Sequence, residues 1–312
     1  MRSTGLQKLE TFVIGGLLLG ATGCDLSEIA TQRFLASAGT YFNHRPGQAF
    51  ETIASGVHSF RQGFNRNLVV ETTAGLVIVD PFNPQFAAAL ADKLRARFPG
   101  QPVHTLVYSH YHLDHVRGGA LLDPGQIIGH RKLAPYWRFI DDDAAIAPPT
   151  RSIAGDQRLQ IGGVRFDLLY MDLSHPDTLY AVHLPGAGVL FAPDLGFVRA
   201  VPPAGMPDMY YPGYVRALER LAARDFAHYV PSHFDTGTRA DLIAYIQFLR
   251  TGRELVLRAY SRHGPVSVPG AAEHYYAEVY KPLAARYGDW LGFDEMALPF
   301  LIRNLAGGYL GY

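Results

Sequence analysis

The chain has 312 residues, with 28 Lys plus Arg against 28 Asp plus Glu, so its formal net charge is zero. That balance removes the long-range attraction to phosphate on which nucleic-acid binding rests, and no nucleic-acid partner is expected. Apolar residues make up 48%, enough for a large core, and a single cysteine excludes any disulfide within the chain.

Arg2 and Lys8 precede an apolar run from Phe12 to Ala21, then Thr22-Gly23-Cys24. A basic start, about ten apolar residues and small residues at the end form a secretory signal, too short to span a bilayer. Ala21-Thr22-Gly23-Cys24 resembles a bacterial lipoprotein lipobox, which implies cleavage before Cys24 and lipidation of its sulfur. The expectation is a signal over residues 1–23, a tether over 24–46, and membrane anchoring through Cys24 on the extracytoplasmic side (periplasm or cell surface). Acyl chains contribute about 0.8 kcal/mol per buried CH₂, so several would hold the protein firmly.

From residue 49 to 81 the chain alternates and is β-branched, with Leu68 to Glu71 and Leu76 to Val79 flanking Thr72-Thr73-Ala74-Gly75. That pattern predicts a hairpin-rich sheet. Phe86, Leu90, Leu94 and Phe98 have helical spacing. A buried-type strand is predicted over Val103 to Tyr108, a helix over Val116 to Leu122 and a strand over Gln126 to Gly129. Residues 141–158 read as loop, with Asp141-Asp142-Asp143 as a solvated turn. Three strands follow at 164–171, 179–184 and 189–191, then a helix at 214–224, a strand at 227–230 and a long helix at 240–260. The tail from Ala271 reads as helical and aromatic-rich. Sheet then helix, twice over, predicts an α/β fold of two sheets with helices outside.

The densest chemistry is His110-Tyr111-His112-Leu113-Asp114-His115, directly after a strand. Residues two apart in an extended segment point the same way, so His110 and His112 can share one metal ion. Asp114 and His115 stand where a helix begins and can face a second. Imidazole and carboxylate suit Zn²⁺ and similar ions.

This His-x-His-x-Asp-His motif resembles that of the metallo-β-lactamase superfamily, and the resemblance runs along most of residues 50–260. Asp80, closing the strand Leu76 to Val79, resembles the family's early acidic residue. His175 (in Ser174-His175-Pro176-Asp177), Asp194 (after Leu190-Phe191-Ala192-Pro193) and His233 (after Val230-Pro231-Ser232) resemble its later ligands. They follow His115 in order, at intervals of 60, 19 and 39 residues. The resemblance implies a four-layer αββα sandwich over residues 47–262 with a C-terminal helical extension over 263–312. It implies two zinc ions: one held by His110, His112 and His175, the other by Asp114, His115 and His233. Asp194 and a hydroxide would bridge them, Asp114 would orient the hydroxide, and Asp80 would support a ligand from behind.

The implied activity is hydrolysis of an ester, lactone, thioester or amide bond in a small-molecule substrate. Rival readings are a sulfatase or phosphodiesterase of the same fold, or a non-catalytic zinc-binding lipoprotein. Cys24 lies outside the domain, which excludes a cysteine-ligated metal. The segment holding Phe197, Arg199, Met206, Met209, Tyr210, Tyr211 and Tyr214 reads as substrate-facing, or else as a loop packed on the core. Asn65 and Asn67 read as turn-shaping residues, and the remaining histidines as surface or packing residues. Oligomeric state is not indicated.

Overall fold

A computed structural model describes residues 39–41, 43–138, 146–202, 206 and 208–310, with side chains as far as Asn304. The signal and Cys24, most of the tether, and Asp141 to Asp143 lie outside the described residues. Among the described residues no helix is long and apolar enough to cross a membrane.

Two sheets carry the fold. The first is built from β1 (Gln48–Ala54), β2 (Val57–Gln62), β3 (Asn65–Arg66), β4 (Leu68–Thr72), β5 (Gly75–Val79), β6 (Val103–Val107), β7 (Gln126–His130) and β8 (Arg151–Ile153). Its order is β1-β2-β4-β5-β6-β7-β8, with β3 paired to β2. The hairpin half is antiparallel, and β5 through β8 run parallel. The second sheet is built from β9 (Gln157–Ile161), β10 (Val164–Tyr170), β11 (Tyr180–Leu184), β12 (Val189–Phe191) and β13 (His228–Val230), in the order β13-β12-β11-β10-β9.

Strand periodicity explains the layering. Val77 and Val79 of β5 point into a core shared with Phe166, Leu168, Val182 and Phe191 of the second sheet. Their neighbours Leu76 and Ile78 point the other way, onto Phe86, Leu90 and Leu94 of α1 (Pro84–Arg97). A strand buried on both faces must be apolar throughout, which is why β5 reads Leu-Val-Ile-Val after its glycine. Asn83 caps α1 by accepting from Phe86 N at 2.9 Å, and Pro84 supplies a preset first turn.

The expected helix over Val116 to Leu122 is replaced by two shorter pieces. These are α2 (Leu113–Val116) and a 3₁₀ turn, Gly119–Leu122. Gly118 and Gly119 cause the break. A Cβ on Gly118 would lie 2.4 Å from Ala87 Cβ, and one on Gly119 would lie 1.9 Å from the Tyr108 hydroxyl. The chain passes too close to α1 and β6 for any larger residue there.

The expectation of loop over residues 141–158 is also corrected: β8 and the start of β9 fall within it. Both strands are sheet edges with polar, exposed faces, and polar edges hide the apolar alternation that marks interior strands. A short helix absent from the sequence reading, α3 (Leu133–Trp137), follows β7. Then come α4 (Tyr211–Ala222) and α5 (Arg239–His263).

The chain divides into two compact units. Both sheets, α1 to α4 and the first turn of α5 belong to the larger. The smaller takes Tyr41, Arg199 to Pro202, Met206 and the chain from Ala244 onward. It includes α6 (Ala271–Tyr275), α7 (Lys281–Tyr287) and α8 (Phe293–Leu310), so the tail is helical as expected. Within it Trp290 stacks on Tyr245, and Tyr41 donates to Val201 O at 2.9 Å.

The turn from α4 back to the 173–175 loop is tightly built. A Cβ on Gly213 would lie 1.7 Å from Leu173 O. Gly213→Ala is therefore expected to destabilise the larger unit by about 1–3 kcal/mol through overpacking. Gly186→Ala, at a position with nothing within 4 Å of the added carbon, should stay within about 0.5 kcal/mol of the parent. Denaturant unfolding of the two variants checks the pair.

Candidate metal centre

All seven side chains proposed from sequence lie in segments that follow the C-terminal ends of strands, Asp114 and His115 on α2. Asp80 follows β5, and Ser109 to His115 follow β6. His175 follows β10, Asp194 follows β12 and His233 follows β13. Those strand ends share one rim, so the loops converge. His110, His112, His175 and Asp194 each bring one donor atom into a group spanning at most 4.8 Å. Asp114, His115 and His233 form a second group of the same size. The groups contain the two triads that the sequence reading set apart, with Asp194 falling in the first.

Asp194 sits at the centre. His110 Nε2, His115 Nε2 and His175 Nε2 each lie 3.3 Å from its Oδ2, and His233 Nε2 lies 3.0 Å from its Oδ1. The aspartate backbone is left-handed, at φ 56°. Such a conformation costs a non-glycine residue roughly 1–3 kcal/mol and persists where surrounding bonds over-determine it. Here Ser232 Oγ donates to Asp194 Oδ1 at 2.6 Å and Tyr214 Oη donates to Asp194 O at 3.0 Å. Asp80 is left-handed too, at φ 61°. Its carboxylate accepts from Ser109 N at 2.8 Å and Ser109 Oγ at 2.7 Å.

The outer imidazole nitrogens are tied down. His115 Nδ1 is 2.9 Å from Asp80 Oδ2, so Asp80 stands behind the site as expected. His110 Nδ1 is 2.8 Å from Ser109 Oγ, whose proton already goes to Asp80. His233 Nδ1 is 2.9 Å from Asn65 Oδ1. Each partner accepts, so each of these rings carries its proton on Nδ1 and turns a lone pair on Nε2 inward. His110 Nε2 and His115 Nε2 are buried with no hydrogen-bond partner. Buried nitrogens left unpaired cost about 1–3 kcal/mol each, unless a cation accepts the lone pairs. The donor set, neutral imidazoles plus carboxylates, fits divalent ions of the zinc type.

Electrostatics divide the rings: His110 is held neutral, while the buried carboxylates favour protonated His115 and His175 until a cation replaces those protons. Burial and the neighbouring His115 and His112 push His110 well below its ordinary range. Burial disfavours charge on His115 as well, but Asp194, Asp114 and Asp80 outweigh it and raise its pKa. His175 is raised in the same way to about 9, burial being outweighed by Asp194 and Asp208. Asp194 is held well below the usual carboxylate range, because His115 and His233 outweigh its own desolvation. Asp114 differs from the rest: its side chain is 58% exposed, so one carboxylate faces solvent beside His115 and His233.

Several supporting residues escaped the sequence reading. Asn65 carries His233 rather than merely shaping a turn, and it also forms a β-bridge to it. Arg66, fully buried, donates to Phe234 O at 2.9 Å and fixes the same loop. Asp208 reaches His112, with Oδ2 2.8 Å from Nε2. A turn asparagine and an isolated aspartate carry no sequence signal of such roles. In the segment that read as substrate-facing, Phe197, Met209, Tyr211 and Tyr214 are buried and Tyr210 is 38% exposed. Arg199 and Met206 belong to the smaller unit, where Arg199 pairs with Asp289.

Another His/Glu group, His263, His274 and Glu278, lies in the smaller unit. Its two rings stack in parallel 3.8 Å apart, which aims their lone pairs alongside each other, and Arg262 already neutralises Glu278. It reads as an ion-pair cluster.

Two outcomes are expected. In protein stripped by a chelator, His115 and His175 hold protons at neutral pH, and a metal must displace them. Affinity for Zn²⁺ should therefore rise as pH increases from 6 and level off near 9, measured by competition with a chromophoric chelator. Affinity independent of pH would contradict the raised imidazoles. Asn65→Ala should weaken one of the bound metals roughly 10–100-fold while leaving the fold intact by circular dichroism.

Comparison with known proteins places this geometry. A 2,4-dinitroanisole O-demethylase subunit alpha from Nocardioides sp. (strain JS1661) is 30% identical over 197 residues, covering 62% of this chain and 60% of that protein. The chain thus spans about 60% of the length of that relative. A metallo-beta-lactamase from Pontibacter korlensis is similar in fold, with a TM-score of 0.56 at 21% identity, covering 64% of this chain and 99% of its own. The family model of the metallo-beta-lactamase superfamily matches residues 62–233, from the end of β2 to the last histidine of the site. More than half of the sequence and every residue of the centre fall within that match: the chain belongs to the metallo-beta-lactamase superfamily.

Proposed function

We propose that the protein is a dinuclear zinc-dependent hydrolase acting on an ester, lactone, thioester or amide bond of a small molecule. One observation carries this reading: four imidazole Nε2 atoms stand 3.0–3.3 Å from a single buried carboxylate, Asp194. Four imidazole rings gathered around one buried carboxylate form a donor set suited to cations held between them. His110, His112 and His175 would hold one zinc ion, Asp114, His115 and His233 the other, with Asp194 shared. When bound, such a pair supplies a water-derived nucleophile near neutral pH and polarises the scissile group.

The chain's own residues then have distinct tasks. Asp114, exposed on its solvent side, accepts a proton at its carboxylate and orients the attacking water. Phe82 and Phe64 pack against His115 and His233, with ring centroids 4.7 and 5.4 Å away, and keep bulk water from that side. Tyr111 stacks on Tyr136 at 3.9 Å next to His112, an aromatic ledge suited to a planar or apolar substrate.

A second reading of the substrate comes from the demethylase relative. Hydrolytic O-demethylation of an activated aryl methyl ether uses the same nucleophile: water adds, and a phenol and methanol leave. The aromatic ledge favours such a substrate. The relative's name makes it one subunit of an assembly, so this reading also expects a partner chain. We further propose export and membrane anchoring through lipidated Cys24, resting on the lipobox-like sequence.

His112→Ala and Asp194→Ala should each lose bound metal and reduce turnover by at least about 100-fold, with the fold retained by circular dichroism. The screen is run on the domain without its signal, against carboxylic ester, lactone, thioester, sulfate, phosphodiester and nitro-substituted aryl methyl ether substrates. Chelator-sensitive turnover of one class supports the hydrolase and names the bond. Full activity in both variants would defeat the dinuclear mechanism. Cys24→Ser should release the protein from membranes, and unchanged membrane association with no lipid by mass spectrometry would defeat the anchor.

A further inference from the structure

We infer that Asp208 is a positioning residue that engages the outer nitrogens of His112 and His175, and so orients two ligands of the first metal together. The inference rests on the metal-centre reading above. It concerns a carboxylate that lies outside both donor groups and outside the motif.

His110, His115 and His233 each have an outer-nitrogen partner on or next to a strand of the first sheet: Ser109, Asp80 and Asn65. His112 and His175 have none from that source. Both face Asp208 instead. Asp208 Oδ2 is hydrogen-bonded to His112 Nε2 at 2.8 Å, and Asp208 Oδ1 makes an ion-pair contact with His175 Nδ1 at 3.0 Å, outside hydrogen-bond geometry. His175 Nε2 is the nitrogen that faces Asp194, so Asp208 meets the ring from behind. With His112 Nε2 engaged, Nδ1 is the nitrogen left for a metal. The two rings lie 4.8 Å apart, and one carboxylate spans their backs.

The carboxylate is delivered by a segment stitched to the His175 loop. Tyr210 N donates to Ser174 O at 2.7 Å. Gly213 packs directly on Leu173 O, where any side chain would collide. Asp208, Tyr210 and Gly213 thus run alongside Leu173, Ser174 and His175, and the carboxylate arrives in register with the imidazole. Its side chain is 31% exposed, and the two imidazoles face it from the same side.

A carboxylate behind a ligating histidine fixes the ring's tautomer and orientation and raises its basicity, and its loss typically weakens the metal by about 10–100-fold. Bridging two such rings couples them. Asp208→Ala should then lower affinity at one metal by about that factor and leave the other unchanged. Asp208→Asn should fall between, because its oxygen still accepts from His112 Nε2–H while the negative charge facing His175 Nδ1 is lost.

The test titrates Zn²⁺ into parent, Asp208→Ala and Asp208→Asn proteins against a chromophoric chelator. It also records imidazole N–H resonances of the zinc-loaded, ¹⁵N-histidine-labelled proteins. The expected result is two tight sites in the parent, one weakened site in the alanine variant, and loss of two slowly exchanging N–H signals. Unfolding midpoints of the three proteins separate this from misfolding. Wild-type zinc affinity at both sites in folded Asp208→Ala, with all N–H signals kept, would overturn the role of Asp208 alone. A parent protein that binds no zinc would overturn the metal-centre reading itself.

Discussion

Everything at this site depends on one buried negative charge. Asp194 draws four imidazoles from three separate loops to within 3.3 Å of its oxygens. Bringing that many titratable groups out of water is unfavourable unless their charges and lone pairs are matched. The carboxylate matches part of them, and the unpaired Nε2 atoms of His110 and His115 call for cations to match the rest. The left-handed backbone at Asp194 and Asp80 shows how tightly the loops are held to keep that geometry.

The fold serves this constraint through its strand ends. Strands β5 and β6, parallel in the first sheet, and β12 and β13, parallel in the second, deliver Asp80, the motif, Asp194 and His233 to one rim. Residues behind the ligands then set each ring's orientation. Ser109 and Asp80 do so from the first sheet, and Asn65 reaches from β3 to the loop after β13. The apolar rings of Phe82 and Phe64 lower the local polarity on one side, which strengthens every charge interaction there.

The motif and the late ligands were legible because each places a metal-binding residue type beside a strand end. Strands β5 and β12 were legible as apolar runs, and β10 by the alternation of Phe166, Leu168 and Tyr170 with polar Arg165 and Asp167. Edge strands β8 and β9 were not, since their outward residues are polar and their burial is one-sided. The break between α2 and the following turn depends on how closely Gly118 approaches Ala87, a distance no local pattern encodes. Asn65 and Asp208 stayed hidden for a related reason: each acts on a histidine far away in sequence (168 residues for Asn65 and His233, 96 for Asp208 and His112). A role that exists only through a tertiary contact leaves no signal in spacing.

The central claim is that the seven convergent side chains hold two metal ions across Asp194. The most direct measurement is anomalous X-ray diffraction at the zinc edge on crystals of the zinc-loaded domain, paired with metal content per chain. The account expects about two ions per chain, with two anomalous peaks on either side of the Asp194 carboxylate, one beside His110, His112 and His175 and one beside Asp114, His115 and His233. An absence of peaks at these residues in protein loaded with zinc, or a single peak that leaves Asp114 and His233 without metal, would contradict it.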